Sequence, residues 1–266
     1  MTQSMSDFKW LVERISFQDS DIRVAISEDR IIEIDCVFDG SIEPPIDDPS
    51  PCMVYGSTAL VQYAYDHGWG PHLYYNPEDF NYNTWLDNGL GEFLLNGVHS
   101  DITTLGDLAE NYSTQNWDWF VRPTGDLKKF NSQFVASSRI EVWAQSLAER
   151  NPGSGIDSNT EVLIAPARKD LLEEYRLFVV DGKIVSQCQY MNEGQLDIQA
   201  GDPDNLWWMN DMLSDVAWTW EPARAYVMDL VSIIGGETKI IEFNTINASG
   251  LYACDPYAIV AAIDKL

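Results

Sequence analysis

The sequence predicts an α+β protein in which hairpins and short helices alternate around a sizeable core. Three observations carry this. Hydrophobic residues make up 45% of the chain and aromatics 12%, which is too apolar for a disordered acidic tail and enough to bury a core. Period-two apolar runs are punctuated by turn residues, most clearly in EEYRLFVVDGKIVSQCQYM (173–191) around Asp181-Gly182. Helix signals are few and short, and no internal repeat or low-complexity segment appears. At 266 residues, one large domain or two modest ones are expected.

Taken in order, IRVAI (22–26) and RIIEIDCVF (30–38) are β-rich and predict a hairpin around Ser27–Asp29. The stretch 40–51 carries Pro44, Pro45, Pro49 and Pro51 and predicts a loop without regular structure. CMVYGSTALVQYAYDHG predicts strand, turn at Gly56-Ser57 and helix, with Ser57 as N-cap. A short helix is expected at 104–111. WDWFVRPTG predicts a strand ending at Pro123. Residues 139–149 fit a short strand or helix, 151–160 a loop, and EVLIAP (161–166) an apolar strand. Residues 203–217 fit a helix, ARAYVMDLVSII and TKIIEFN a hairpin around Gly235-Gly236, and 255–265 an amphipathic helix.

Charge excludes several functions. The chain holds 42 acids against 16 bases, net −26, so nucleic acid as a main ligand is not expected. No apolar run is long enough for a membrane span, and the start has no basic-then-apolar signal pattern. Cys36, Cys52, Cys188 and Cys254 are dispersed without CxxC, which fits free thiols and predicts a cytoplasmic protein. Three histidines argue against a multi-His metal site. The distribution is uneven. Residues 31–121 carry fifteen acids and no base, whereas 122–183 carry nine of each. An acidic protein that concentrates its cations in one segment is expected to hold an anion there, with phosphates as the expected class.

The last hairpin places a donor set. With Gly235-Gly236 as a two-residue turn, Asp229 faces Glu242, Val227 faces Asn244 and Val231 faces Ile240. Asp229, Glu242 and Asn244 then share one face. A three-residue loop would break this parity. Two carboxylates and an amide oxygen suit Mg²⁺ that is also held by substrate phosphates. The plainer reading, a solvated hairpin face, fits poorly with apolar Val227, Val231 and Ile240 beside them. In the basic segment, Arg122 followed by Lys128 and Lys129, the Arg168-Lys169 pair, and Arg176 could clamp phosphate, with Glu174 on the same face as Arg176 and able to pair with it. GxxxxGK[ST] and GxGxxG are absent, and no Ser-His-Asp or Cys-His arrangement stands out.

FVRPTGDLKKF (120–130), EVLIAPARKDLLEEYRLFVVDGKIV (161–185) and AYVMDLVSIIGGETKIIEFNTINASGLY (225–252) occur in an order that resembles the ATP-grasp superfamily. More narrowly, they resemble its bacterial and phage clade named for characteristic arginine and lysine residues. VYGSTALV (54–61) and FLLN (93–96) resemble the clade's N-terminal region. The resemblance implies an ATP-grasp fold of two α+β subdomains gripping ATP at 117–266, after an acidic α/β region at 1–116. It implies ATP and Mg²⁺ and an ADP-forming carboxylate–amine ligase working through an acylphosphate. It assigns Arg122 and Arg176 to catalysis. ATP would be held by Arg122, Lys128, Lys169, Glu174 and Arg176, with the backbone of Glu161, Val162, Leu163 and Ile164 at the adenine edge. Glu174 would orient Arg176. Asp229, Glu242 and Asn244 would hold Mg²⁺, and Asn247 and Ser249 would meet the acceptor. The carboxylate donor and the amine acceptor are not readable, although the acidic front favours a peptide or other basic partner. Two alternatives remain: a phosphotransfer protein on the same fold, and an acidic DNA mimic.

Overall fold

The computed structural model describes residues 8–14, 21–36, 42–114, 117–126, 129–150, 155–202 and 206–266. Three sheets build it. The first takes β1 (Lys9–Glu13), β2 (Ile31–Cys36), β3 (Ile42–Glu43), β4 (Cys52–Tyr55) and β5 (Pro71–His72) in the order β3-β2-β1-β4-β5. All its pairs are parallel except β2 with β3. The helix α1 (Thr58–Asp66) follows β4, and the Ser57 hydroxyl accepts from the Leu60 amide as expected of an N-cap. The α/β character expected of the N-terminal region is therefore present.

The hairpin expected at 22–38 is not. Ile22–Ala25 forms a single 3₁₀ turn capped by the Asp21 carboxylate, and Ile31–Cys36 pairs in parallel with Lys9–Glu13 instead. A parallel partner from upstream overrides the local turn signal. From residue 42 on, the proline-rich stretch is irregular apart from the two-residue β3.

The helix α2 (Tyr82–Asp87) leads to the second sheet, whose strands are β6 (Asp101–Thr104), β7 (Asp118–Pro123), β8 (Gln133–Ala136) and β9 (Glu161–Pro166), ordered β6-β9-β7-β8. The helices α3 (Leu105–Asn111) and α4 (Ile140–Arg150) cover it. Leu105, Leu108, Ile140 and Leu147 bury against Trp119, Val121, Val162 and Ile164. This sheet reaches across the boundary expected at 116/117. β6 pairs with β9 through Ile102 and Leu163 and forms one edge of the sheet.

The third sheet is β10 (Leu171–Val180), β11 (Lys183–Asn192), β12 (Gln195–Ala200), β13 (Ala225–Ile233) and β14 (Glu237–Thr245), ordered β12-β11-β10-β13-β14 and antiparallel throughout. One face packs Leu177, Val179, Met228 and Phe243 against Trp85 of α2 and against Met209 and Val216 of α5 (Leu206–Thr219). The other packs Phe178, Val227 and Cys188 against Trp10 and Met53 of the first sheet and against Ile259 and Ile263 of α6 (Pro256–Ile263). Each such fully buried side chain contributes about 1.5–3 kcal/mol. No helix is long and apolar enough to cross a membrane among the described residues.

The hairpin at Asp181-Gly182 forms as expected, with φ of 48° and 66° at the two turn residues. The β13–β14 hairpin reaches the expected pairing by another route. Ile233 faces Glu237, so the loop is Ile234-Gly235-Gly236, with Gly235 and Gly236 at φ 110° and 88°. Three residues instead of two shift Val231 onto Lys239 rather than Ile240. A bulge on β14 then takes up one residue, Ile241, between the Leu230–Ile240 and Asp229–Glu242 pairs. Beyond it Asp229 faces Glu242 and Val227 faces Asn244.

Candidate active site

The second and third sheets meet over a cavity of about 320 Å³. Phe120, Phe134, Pro166 and Ile241 give it apolar walls, while Arg122, Arg168, Glu174 and Glu242 give it charge. Apolar walls with a few polar groups suit a flat ring carrying a charged tail.

Arg122 enters from β7, where strand alternation turns it into the cleft. It pairs with Glu242 at 2.8 Å, and the side chains are only 5% and 13% exposed. Arg176 enters from β10 and forks onto Asp229, with Nε to Oδ1 at 2.9 Å and Nη2 to Oδ2 at 2.7 Å. Asn244 Nδ2 also donates to Asp229 Oδ2, at 3.1 Å. Burial works against the Arg176 charge, but the Asp229 carboxylate outweighs it and raises the guanidinium pKa.

The expected Glu174–Arg176 pairing is replaced. Glu174 accepts from the Tyr190 hydroxyl at 2.6 Å, because Asp229 already takes the guanidinium fork. Arg176 instead stacks on Tyr190 and Tyr252, whose rings lie nearly parallel with centroids 5.0 Å apart. Burial, then Asp229 and Glu242, push the Glu174 carboxyl up from its ordinary 4.5, against the Tyr190 hydrogen bond. A carboxyl raised on folding stabilises the fold below its unfolded pKa, and that contribution is lost as pH rises through the folded value. Glu174→Gln is therefore expected to flatten part of the fall in stability above pH 4.5, read by urea denaturation at a series of pH values.

Asp229 faces Glu242 and bonds to Asn244, and their oxygens are the hard donors Mg²⁺ takes, but only Glu242 lines the cavity, while Asp229, Asn244 and Arg176 lie buried beside it. No three Asp, Glu, His or Cys side chains cluster as a metal site among the described residues. The residues fit an ion that takes one or two carboxylates and completes its shell with phosphate and water. Arg122 and Arg176 hold these carboxylates in the structure.

The other expected positions divide. Lys128 lies outside the described residues. Lys169 is exposed, whereas its neighbour Arg168 lines the cavity, paired with Asp170 at 2.6 Å. Val162, Leu163 and Ile164 are buried in mid-sheet and Glu161 is exposed, so Pro166 and Arg168 are the parts of that segment at the cavity. Asn247 is fully buried. Its amide donates to the carbonyls of Val54 and His72 and accepts from the Tyr74 amide, joining the ends of β4 and β5 to the end of β14. Ser249 is buried and donates to the Thr245 carbonyl. Neither lines the cavity.

Sequence reasoning does not single out Phe120, Phe134, Tyr190, Tyr252 or Asp126 as site residues. Only Asp126 carries a local signal, its place in the Arg-Pro-x-x-Asp run. Its carboxylate accepts from the Thr245 amide at 2.8 Å and so fixes the end of the strand bearing Glu242 and Asn244.

Known proteins share this arrangement of sheets. The profile of the ATP-grasp domain, family 2 of the arginine-and-lysine clade, matches residues 100–262. No curated protein matches in sequence. Among solved structures, the D-cycloserine synthetase DcsG superposes with a TM-score of 0.62 at 12% identity, over 96% of this chain and 98% of that one. D-alanyl-alanine synthetase A from Vibrio cholerae gives 0.57 at 12% identity, over 97% and 94%. The ATP-grasp ligase PsnB, complexed with a minimal precursor, gives 0.50 at 12% identity, over 97% and 98%. At that identity they share the fold.

Proposed function

This chain belongs to that clade of the ATP-grasp superfamily, and from this premise we propose that it is an ADP-forming, Mg²⁺-dependent carboxylate–amine ligase. The observation that carries the reading is the Arg122–Glu242 pair on the wall of the cleft between two sheets, with the buried Arg176–Asp229 pair beside it, Asp229 facing Glu242 across β13 and β14. A carboxylate oxygen attacks the γ-phosphorus of ATP, and the bond to the bridging oxygen of ADP breaks. The amine nitrogen then attacks the acyl carbon, phosphate leaves with the C–O electron pair, and the amine proton is lost. No protein nucleophile is needed; the work is positioning and charge neutralisation.

Phe120, Phe134 and Pro166 would bound the adenine, with Arg168 at the same wall. Arg122 and Arg176 would face the transferring phosphate, each already held by a carboxylate, so little reorganisation is needed. Asp229, Glu242 and Asn244 would hold Mg²⁺, which supplies positive charge to the terminal phosphates. Asn247 fixes the first sheet against this centre.

The test is ATP turnover with candidate carboxylates and hydroxylamine as the amine. Release of ADP and phosphate with a hydroxamate product is expected. ADP release with a stable phosphorylated product would favour phosphotransfer instead. Failure to bind Mg-ATP in calorimetry would overturn both readings.

A further inference from the structure

The cross-strand row through the site continues beyond it. Glu242 faces Asp229, Asp229 faces Arg176, Arg176 faces Cys188, and Cys188 faces Ala200 on β12. Facing residues share one side of a sheet. Ala200 therefore lies on the side that carries Arg176. Two strand spacings put it about 10 Å from Arg176.

β12 ends the sheet and is exposed along nearly all of its length. Natural edges are guarded by Lys, Pro, a bulge or a covering segment. QLDIQA has neither Lys nor Pro, although its pairing with β11 slips once, between Leu196 and Gln199. Leu196 and Ile198 stand at that slip and are 67% and 38% exposed. The opposite edge is covered: the Leu95 amide donates to the Ile240 carbonyl and the Ile240 amide to that of Phe93.

Charge selects the occupant. From Ile184 to Ala223 the chain carries seven acids and no base. Asp197 lies on β12 itself, and Glu193, Asp202, Asp211 and Asp215 are exposed nearby in sequence. A second copy would bring like charge against like charge.

We propose that β12 docks a basic polypeptide segment as an added strand, its apolar residues over Leu196 and Ile198 and its Lys or Arg residues toward the acids. That this segment is the ligase's substrate rests on the function proposed above; the docking itself does not.

The experiment uses the full chain without ATP and a fluorescein-labelled peptide of about nine alternating Lys and Val residues. Fluorescence anisotropy is expected to show saturable binding that weakens with salt. The same peptide with Glu in place of Lys is expected not to bind. The double variant Leu196→Lys with Ile198→Lys, checked for fold by circular dichroism and for Mg-ATP binding by calorimetry, should bind about tenfold more weakly or worse. Equal binding by wild type and variant, or equal binding of both peptides, overturns the proposal. So does a wild-type dimer in sedimentation that dissociates in the variant. If the bound peptide brings no peptide-dependent ADP release once Mg-ATP is added, that counts against the docked segment being the ligase's substrate and leaves the docking standing.

Discussion

Arg176→Met is expected to destabilise the fold by about 3–5 kcal/mol, the cost of removing one partner from a buried ion pair. Asp229 is 1% exposed and accepts two bonds from Arg176. Methionine fills much the same space but donates nothing, leaving the carboxylate with the Asn244 amide. The Gly250 carbonyl also loses its donor, and Tyr190 and Tyr252 lose the cation stacked on them. Urea denaturation followed by tryptophan fluorescence measures the loss. The double variant Arg176→Met with Asp229→Asn should recover part of it, because the stranded charge goes with its partner. A single variant within about 1 kcal/mol of wild type would show that the pair is not buried in solution.

The second large effect is on turnover. Glu242→Ala is expected to lower ATP consumption on the order of 10²–10³-fold, the usual cost of one preorganised charge contact at a transferring group. Glu242 is paired with Arg122 at 2.8 Å and lines the cavity. Alanine therefore removes a proposed Mg²⁺ ligand and frees Arg122 together. Glu242→Gln separates the two, since it keeps the shape and a hydrogen-bond acceptor while removing the charge. Unchanged ATP consumption in a folded Glu242→Gln protein would remove Glu242 from the metal site.

Much of the third sheet is legible in the sequence because its strands announce their own turns. Asp181-Gly182 fixes β10 against β11, and the apolar alternation of 225–244 fixes β13 against β14. The pairing of Asp229 with Glu242 follows from parity with a two-residue turn. The real loop is one residue longer and the bulge takes one residue back, so the two departures cancel. The first sheet is less legible. Its parallel strands are joined by long connections, so Ile31–Cys36 offers no local sign that Lys9–Glu13 is its neighbour. The same limit hides the site's aromatic walls. Phe120 reads as an ordinary strand residue and Phe134 falls in a stretch with no expected element, until β7 and β8 are folded over β14. Asn247 shows the converse. Its place after Glu-x-Asn suggests substrate contact, and only the arrival of β4 and β5 reveals three backbone groups that need it.

The bulge of β14 puts two consecutive residues to use at once. In a regular strand Ile241 and Glu242 would point to opposite faces. Here both line the cavity, and the Ile241 carbonyl also accepts from Arg122 Nη1 at 3.3 Å. The three-residue loop at Ile234–Gly236 has no such duty, since Ile233 and Glu237 already close the ladder before it. Length changes between the aspartate and the glutamate are thus expected to be tolerated at the loop and not at Ile241. Relatives that keep this centre would then vary in the number of residues separating the two carboxylates, so a search pattern with a fixed spacing would overlook them.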